Sequence, residues 1–145
     1  MARDFRKIVA WQKADMLVID NYRATAASFP KEEKYGLTSQ MLSAAVSVAA
    51  NIAEGSALRT SAGFRRFLYL SQGSLSEVEY YIYLAERLGY LDSESGSQLS
   101  VLRSEVGRTL RGLIAALDRQ IANSRSAGGA DSAEVGHERG SSPEE

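Results

Sequence analysis

The chain has 145 residues, of which 44% are hydrophobic and 24% charged, and its formal net charge is −1. A chain of this length forms one domain that buries about 70% of the surface it exposes when unfolded. The absence of cysteine excludes disulfides, thiolate metal sites and cysteine nucleophiles, and it agrees with a reducing compartment. No apolar run approaches the roughly 20 residues of a membrane span, and none follows the charged start as in a signal peptide. We therefore expect a cytoplasmic protein.

The small net charge hides an uneven distribution along the chain. Residues 125–145 hold two arginines and five acids, whereas residues 1–124 hold 15 basic and 13 acidic residues, a formal charge of +2. A charge of +2 neither requires nor excludes a polyanionic partner. A basic surface must therefore come from local clustering or from repetition in an oligomer.

The first two predicted elements are amphipathic helices. The first covers about residues 11–29, and Pro30 ends it. Its predicted buried positions, three or four residues apart, are Trp11, Ala14, Val18, Tyr22, Thr25 and Phe29. The second helix begins near Thr38 or Ser39, either of which is a plausible N-cap, and it ends near Gly55. Its many serines and alanines favour the close approach of a neighbouring helix.

The third predicted helix begins after a Thr60 or Ser61 cap and continues to Leu88, with Gly89 as its C-terminal stop. Its apolar stripe consists of Phe64, Phe67, Leu68, Leu75, Val78, Ile82 and Ala85. A second set of residues lies beside that stripe and consists of Leu70, Gly73, Tyr80, Tyr81 and Leu84. This apolar surface exceeds what one core needs, and it predicts a subunit interface.

The fourth predicted helix begins after Leu91, where Ser95 and Gln98 are spaced as a capping box. Its apolar stripe is Leu99, Leu102, Val106, Leu110, Leu113, Leu117 and Ile121. Beyond about Ser124 the chain is rich in Ser, Ala, Gly and acids, which offer too little apolar surface to offset the entropy of ordering. We predict an all-α fold: an antiparallel up-down four-helix bundle over residues 1–124 and a disordered tail over residues 125–145.

Three glycines, Gly73, Gly107 and Gly112, interrupt the helical patterns. Each costs about 1 kcal/mol relative to alanine in a helix interior. Close packing of neighbouring helices is the predicted reason for their presence.

Residue patterns typical of catalysis are not found in the chain. The one histidine, His137, lies in the predicted tail, so the Glu-x-x-His pairs of a di-iron bundle are excluded. There is no glycine-rich phosphate loop and no Gly-x-Ser-x-Gly elbow. We expect neither enzyme activity nor a metal or other cofactor.

Asn51 and Glu54 are polar residues three positions apart at the edge of the small-residue helix. We interpret them as structural residues that make inter-helix hydrogen bonds or pair with an arginine. A polar ligand site is the alternative interpretation.

Two basic clusters are candidates for phosphate contacts, because arginine offers a planar fork of donors. One cluster is Arg59, Arg65 and Arg66, at the start of the third helix. The other lies near the start of the chain and consists of Arg3, Arg6, Lys7 and Lys13. Either cluster is equally compatible with a solvated surface. In a symmetric oligomer, copies of Arg65 and Arg66 around one axis would form a basic ring.

Several motifs occur in an order and spacing that resemble a known family. They are residues 4–7 (DFRK), 11–14 (WQKA), 29–33 (FPKEE), 35–40 (YGLTSQ) and 44–55 (AAVSVAANIAEG). Later matches are Phe64, Phe67, Leu68, residues 73–75, Glu77, Glu79 and residues 88–90. Over about residues 3–120 the chain resembles the four-helix bundle proteins first noticed in intervening sequences of bacterial large-subunit ribosomal RNA genes.

The resemblance implies a left-handed up-down bundle, assembly as a ring of five subunits, and no enzymatic activity. The family is similar to the accessory protein of diversity-generating retroelements, whose basic pentamer binds nucleic acid and partners a reverse transcriptase. This chain departs from the family pattern at two places. Leu42 and Ser43 stand where many members have two arginines, and Ala62 and Gly63 replace charged residues. Fewer positive charges imply weaker nucleic-acid binding.

The leading hypothesis is a non-catalytic homopentamer that binds RNA or DNA through Arg59, Arg65, Arg66 and Lys13, as an accessory to another nucleic-acid protein. The alternative is a protein-interaction scaffold that binds no nucleic acid. A third class, an enzyme or ligand carrier, would require a ligand among Asn51, Glu54 and Glu77.

Overall fold

Four α-helices form the fold in the computed structural model, which describes residues 3–135, with side chains as far as residue 128. The helices are α1, Val9–Ser28; α2, Leu37–Ser56; α3, Ser61–Arg87; and α4, Ser93–Val135. Short 3-10 turns at Phe5–Lys7 and Lys31–Glu33 precede α1 and α2. No strand occurs between residues 3 and 135. The predicted all-α four-helix bundle is confirmed.

Helices that are neighbours in sequence pack against each other, and α1 also packs against α4, so the four helices enclose one core. Paired side chains of α2 and α3 occur in reverse order along the two helices: Ser47 contacts Ser74, and Gln40 contacts Tyr81. Paired side chains of α3 and α4 do the same, and they are Arg65 with Asp118 and Glu79 with Arg103. Both pairs of helices are therefore antiparallel.

Two predicted helix boundaries of α3 are confirmed. The Thr60 side chain accepts a hydrogen bond from the backbone N–H of Gly63 and caps the helix at its N-terminus. Gly89 follows the helix with φ of 76°, a left-handed conformation that glycine adopts without a steric penalty.

The N-termini of α2 and α4 are capped by acids rather than by the predicted hydroxyl residues. Helix α2 begins at Leu37, whose backbone N–H donates to the Glu33 carboxylate at 2.7 Å. Helix α4 begins at Ser93, and Asp92 accepts from the backbone N–H of Ser95 at 2.8 Å. This hydrogen bond is the first cause of a lowered pKa of Asp92. Negative charge at a helix N-terminus is also favoured by the helix dipole.

The buried face of α1 is rotated by about one residue from the predicted face. Leu17 and Asn21 are buried, whereas Val18 is half-buried and Tyr22 is exposed. The difference arises because the buried residue at position 21 is the polar Asn21. The larger neighbours Val18 and Tyr22 match an apolar period better and were therefore predicted to be buried. The Asn21 side-chain amide donates to the Leu17 carbonyl at 2.7 Å, which meets part of the hydrogen-bonding demand of a buried amide.

Small residues bring α2 and α3 together, as predicted. A Cβ on Gly55 would lie 2.7 Å from Phe67 Cβ and 2.9 Å from Phe64 Cδ2. The buried Ser71 hydroxyl of α3 donates to the Val48 carbonyl of α2 at 2.9 Å. Packing explains fewer of the other glycines: a Cβ on Gly73 or Gly112 would have no neighbour within 4 Å. The prediction that Gly73 and Gly112 allow close packing of neighbouring helices is therefore wrong for the helices of one chain.

Helix α4 continues beyond the predicted end of the bundle at residue 124. Ile121 is the last half-buried residue, and the side chains of residues 122–128 are exposed. The helix runs on to Val135, although we predicted a tail from residue 125. An existing helix extends at little cost through Ala and Arg, since nucleation is the costly step, whereas Gly128 and Gly129 each oppose the extension by about 1 kcal/mol relative to alanine. The rest of the predicted tail, residues 136–145, lies outside the described residues.

Candidate nucleic-acid interface

The predicted arginine cluster at the start of α3 is present, but its members differ in how far they are neutralised. Arg59, between α2 and α3, and Arg66 are exposed, and neither forms an ion pair within the described residues. The Arg66 guanidinium lies 5.4 Å from the centre of the Phe67 ring. Arg65 instead pairs with Asp118 of α4, with Nη1 and Oδ1 2.6 Å apart.

Lys13 lies apart from this cluster. Its ammonium group is 3.9 Å from the Glu105 carboxylate of α4. Glu105 and Asp118 are 13 residues apart on that helix, which corresponds to about 20 Å at 1.5 Å per residue. The structure therefore does not bring Lys13 beside Arg65.

The start of the chain lies at the same end of the bundle as the α3 cluster. The Arg3 backbone N–H donates to the Ser56 carbonyl, and its guanidinium donates to the Leu58 carbonyl at 3.1 Å. The same guanidinium lies 4.7 Å from the centre of the Phe64 ring. The fold therefore brings together the α3 cluster and the first residues of the other predicted cluster.

Three arginines of α4 lie between the middle of the bundle and this end, and they were missed by the sequence analysis. Arg108, Arg111 and Arg119 are exposed, and none forms an ion pair within the described residues. From Arg108 to Arg119 the helix rises about 16 Å. Arg108 and Arg111 are three residues apart, and Arg111 and Arg119 are eight apart. These spacings place the three arginines on one side of a helix, so the sequence did contain a signal for a basic face on α4.

The folded chain separates its charges along the bundle axis. Ser47, Ser74 and Gly107 lie near the middle of the bundle, since Ser47 contacts Ser74 and Gly107 lies beside Leu75. We define the basic half as residues 3–12, 48–74 and 107–128, and the acidic half as residues 13–47 and 75–106.

The basic half holds ten basic residues and three acids, a formal charge of +7. The basic residues are Arg3, Arg6, Lys7, Arg59, Arg65, Arg66, Arg108, Arg111, Arg119 and Arg125, and the acids are Asp4, Glu54 and Asp118. The acidic half holds six basic residues and ten acids, a formal charge of −4. The total charge hides this separation because the opposite charges of the two halves offset each other, and the sequence hides it because each half is built from segments that are distant in the chain.

The predicted polar pair on α2 separates into two different environments. The Asn51 side-chain amide donates to the Ser47 carbonyl at 2.8 Å and to the Ser47 hydroxyl at 3.0 Å. Ser47 in turn contacts the Ser74 hydroxyl of α3 at 2.8 Å, so Asn51 supports an inter-helix network through Ser47. Glu54 is exposed and forms no ion pair within the described residues, so the predicted arginine partner is not seen.

Among the exposed apolar side chains, two groups lie on separate surfaces. The first is a groove of about 500 Å³ beside α1 and α2. Its apolar and aromatic lining is Tyr22, Tyr35, Leu42 and Val46, and its polar lining is Lys34, Thr38, Ser39 and Ser43. Tyr35 is 87% exposed. The second surface lies along α3 and its C-cap and includes Leu70, Tyr80 and Leu88, each at least 50% exposed. We call these the α1–α2 groove and the outer α3 surface.

Two further types of site are absent between residues 3 and 135, the described part of the chain. No group of three or more His, Cys, Asp or Glu side chains in this range is arranged to hold a metal ion. In the same range, none of the helices combines the length and apolar character needed to cross a membrane.

Comparisons with known proteins agree with the four-helix architecture. A crystal structure of a protein of unknown function from the S23 ribosomal protein family of Bacteroides thetaiotaomicron superposes with a TM-score of 0.65. The two chains are 21% identical, and the match covers 73% of this chain and 98% of the other. None of the curated proteins compared with the chain matches it significantly. The model of the 23S rRNA-intervening sequence protein family matches residues 6–112. The chain therefore belongs to the 23S rRNA-intervening sequence protein family.

Proposed function

We propose that this protein is a non-catalytic, ring-forming accessory protein that binds RNA or DNA in the cytoplasm through the basic half of its bundle. The observation that carries the proposal is the separation of charge, with +7 on the basic half and −4 on the acidic half. A concentrated positive field attracts a polyanion and raises its rate of association. In this proposal the protein acts together with a nucleic-acid enzyme. The family resemblance suggests that this enzyme is a reverse transcriptase.

Unpaired arginines supply the phosphate contacts of this proposal. Arg59 and Arg66 are exposed near the start of α3, and Arg108, Arg111 and Arg119 are exposed on α4. Each guanidinium offers donors that fit phosphate oxygens, and such contacts bind nucleic acid without reading its sequence. Arg65 contributes less because Asp118 already neutralises it. Lys13, paired with Glu105 in the acidic half, is not part of the proposed interface.

Assembly into a ring is supported by the two unlike apolar surfaces. A surface that packs on a copy of itself gives a closed dimer, whereas two different complementary surfaces give a head-to-tail ring or filament. The α1–α2 groove and the outer α3 surface are different surfaces on one chain. Gly73, whose missing Cβ faces no neighbour within 4 Å, lies between Leu70 and Tyr80 on α3 and permits close approach of a second copy. A ring of five subunits, as the resemblance implies, would repeat the basic half five times.

A protein-interaction scaffold is the second candidate, and the exposed Tyr35 favours it. Tyr35 is 87% exposed and lines the α1–α2 groove, and tyrosine is enriched at protein interfaces. In this case the groove would hold another protein, and the basic half would have no nucleic-acid partner. The two candidates differ in their response to salt, because phosphate contacts weaken steeply as salt concentration rises.

The test is a fluorescence anisotropy titration of a labelled 20-nucleotide oligouridylate, repeated with the DNA of the same length, at several salt concentrations. The triple variant Arg66→Gln/Arg111→Gln/Arg119→Gln is compared with a control of equal charge change in the acidic half, Arg23→Gln/Lys31→Gln/Arg87→Gln. All six side chains are exposed. We expect the first variant to bind at least about tenfold more weakly, with a salt slope smaller by about 2, since each single-strand phosphate contact contributes about 0.7.

Equal losses in both triple variants would contradict a specific basic interface and leave only a general effect of net charge. Absence of binding at low salt by the unaltered protein would contradict nucleic-acid binding and favour the scaffold.

A further inference from the structure

One surface of α4 combines positive charge with small side chains. Its basic residues are the exposed arginines at positions 108, 111 and 119, which form no ion pair among the described residues. Gly112 and Ala115 are also exposed, and their spacing places them between the arginines on the same side of the helix. We call these five residues the α4 arginine face. The one acid between residues 107 and 128 is Asp118, and Arg65 already pairs with it.

Gly112 makes the centre of this face flat. A Cβ at that position would have no neighbour within 4 Å, so the packing of the described helices does not require glycine there. Glycine in a helix interior nevertheless costs about 1 kcal/mol relative to alanine. Neither the α1–α2 groove nor the outer α3 surface includes a residue of α4. A large ligand can therefore approach the helix backbone closely between Arg108 and Arg119, about 16 Å apart along the axis.

Aromatic residues are separated from this face. The chain has none after Tyr90, so α4 carries none. Within the basic half, Tyr69 of α3 is the one exposed aromatic residue. The other exposed tyrosines lie in the acidic half, and they are Tyr22, Tyr35, Tyr80 and Tyr83. Proteins that bind single strands stack successive bases on exposed aromatic side chains. The basic half therefore lacks the row of aromatic side chains that would favour a single strand.

Charge density favours a duplex at a surface that contacts only phosphates. Along about 16 Å a duplex carries about ten phosphates, and one strand of the same geometry carries about five. Each phosphate contact contributes about 0.9 to the salt slope for a duplex and about 0.7 for a single strand. For three arginines the slopes differ by about 0.6, which at 0.1 M salt, relative to 1 M, corresponds to about fourfold tighter binding of the duplex.

We infer that the α4 arginine face binds the phosphate backbone of double-stranded nucleic acid, DNA or RNA, in preference to a single strand. This inference rests on the proposed function and names the ligand class of the same interface. A duplex keeps its bases stacked inside and needs no aromatic side chains from the protein. The straight helix then contacts phosphates alone, so the base sequence is not read.

The preference is tested by fluorescence anisotropy with the labelled 20-nucleotide oligouridylate, alone and paired with oligoadenylate. The DNA arm uses oligothymidylate, alone and paired with oligodeoxyadenylate. At 0.1 M salt we expect each duplex to bind at least about fourfold more tightly than its single strand, with a salt slope near 2.7 rather than 2.1 for three contacts. A preference seen with one of the two duplexes would support the inference and identify the ligand as RNA or DNA.

The position of the duplex is tested with Gly112→Leu, which adds bulk to the α4 arginine face without changing its charge. Leucine is a good helix former and its Cβ meets no neighbour within 4 Å, so helicity measured by circular dichroism should be retained. If the added side chain removes one phosphate contact, duplex affinity at 0.1 M salt should fall about eightfold. The matched control is Ser97→Leu, exposed in the acidic half about three helical turns before Arg108 on the same side of α4. It should leave duplex affinity unchanged.

Single strands that bind as tightly as the duplexes, or more tightly, would overturn the inference and leave the proposed function intact. Unchanged duplex affinity of Gly112→Leu would overturn the assignment of the duplex to the α4 arginine face. Binding of neither single strand nor duplex at low salt would overturn the proposed function, and the inference with it. The failures are therefore distinguishable.

Discussion

Replacing Gly55 by alanine tests whether α2 and α3 pack as closely as their small residues suggest. The added Cβ would lie 2.7 Å from Phe67 Cβ, 2.9 Å from Phe64 Cδ2 and 3.2 Å from the Phe64 carbonyl oxygen. Two of these distances are below any normal contact, and one of them involves the Cβ of a helical residue, which moves only with its backbone. Overpacking of this kind costs about 1–3 kcal/mol.

The gain in helix propensity does not offset this cost. Alanine is better than glycine by about 1 kcal/mol in a helix interior, but Gly55 is the second-last residue of α2, where the gain is smaller. We expect a net loss of about 1–2 kcal/mol in the free energy of unfolding. The control is Gly112→Ala, in the interior of α4, where the new Cβ has no neighbour within 4 Å. That variant should be more stable than the unaltered protein by about 0.4–1 kcal/mol.

Urea unfolding followed by circular dichroism measures both differences. Protein concentration is held constant, because the stability of an oligomer depends on it. Opposite signs for the two variants are the expected result. A Gly55→Ala protein that is as stable as Gly112→Ala would refute close packing of α2 on Phe64 and Phe67.

Three further changes test other parts of the structure. Hydrogen bonding from Ser95 lowers the pKa of Asp92 below 3.8, so its stabilising effect is present above that value and is lost as pH falls through the lowered pKa. Asp92→Ala should therefore lower the melting temperature at pH 7 and have little effect near pH 2. Asp118→Asn frees Arg65 and should tighten oligouridylate binding about two- to threefold, whereas unchanged affinity would exclude Arg65 from the interface. Val46→Asp places a charge in the α1–α2 groove and should reduce the mass measured by light scattering without loss of helicity. An unchanged mass would show that the groove is not a subunit interface.

Much of the fold follows from local rules that the sequence displays directly. Thr60 and Gly89 were predicted as the ends of α3 because capping and a left-handed stop depend on one residue each. The buried stripe of α4 was also predicted well, since its leucines repeat regularly. The first turns of α2 and α4 were harder to predict. Their caps come from Glu33 and Asp92, which precede the helices and compete with several nearby hydroxyl residues.

The candidate interface was only partly predictable. Arg59, Arg65 and Arg66 are close together in sequence, so their clustering was evident. Arg108, Arg111 and Arg119 join them only after α4 folds back antiparallel to α3. The neutralisation of Arg65 by Asp118, 53 positions away, depends on the same folding. Long-range charge pairing of this kind leaves no local pattern in a single sequence.

The most direct test of the account is a native mass spectrum of the protein, purified at low salt without nuclease. It reports the number of subunits and any bound nucleic acid in one experiment. We predict a ring, of five subunits by resemblance, that carries nucleic acid and releases it as salt concentration rises. A monomer free of nucleic acid would contradict both the assembly and the role of the basic half.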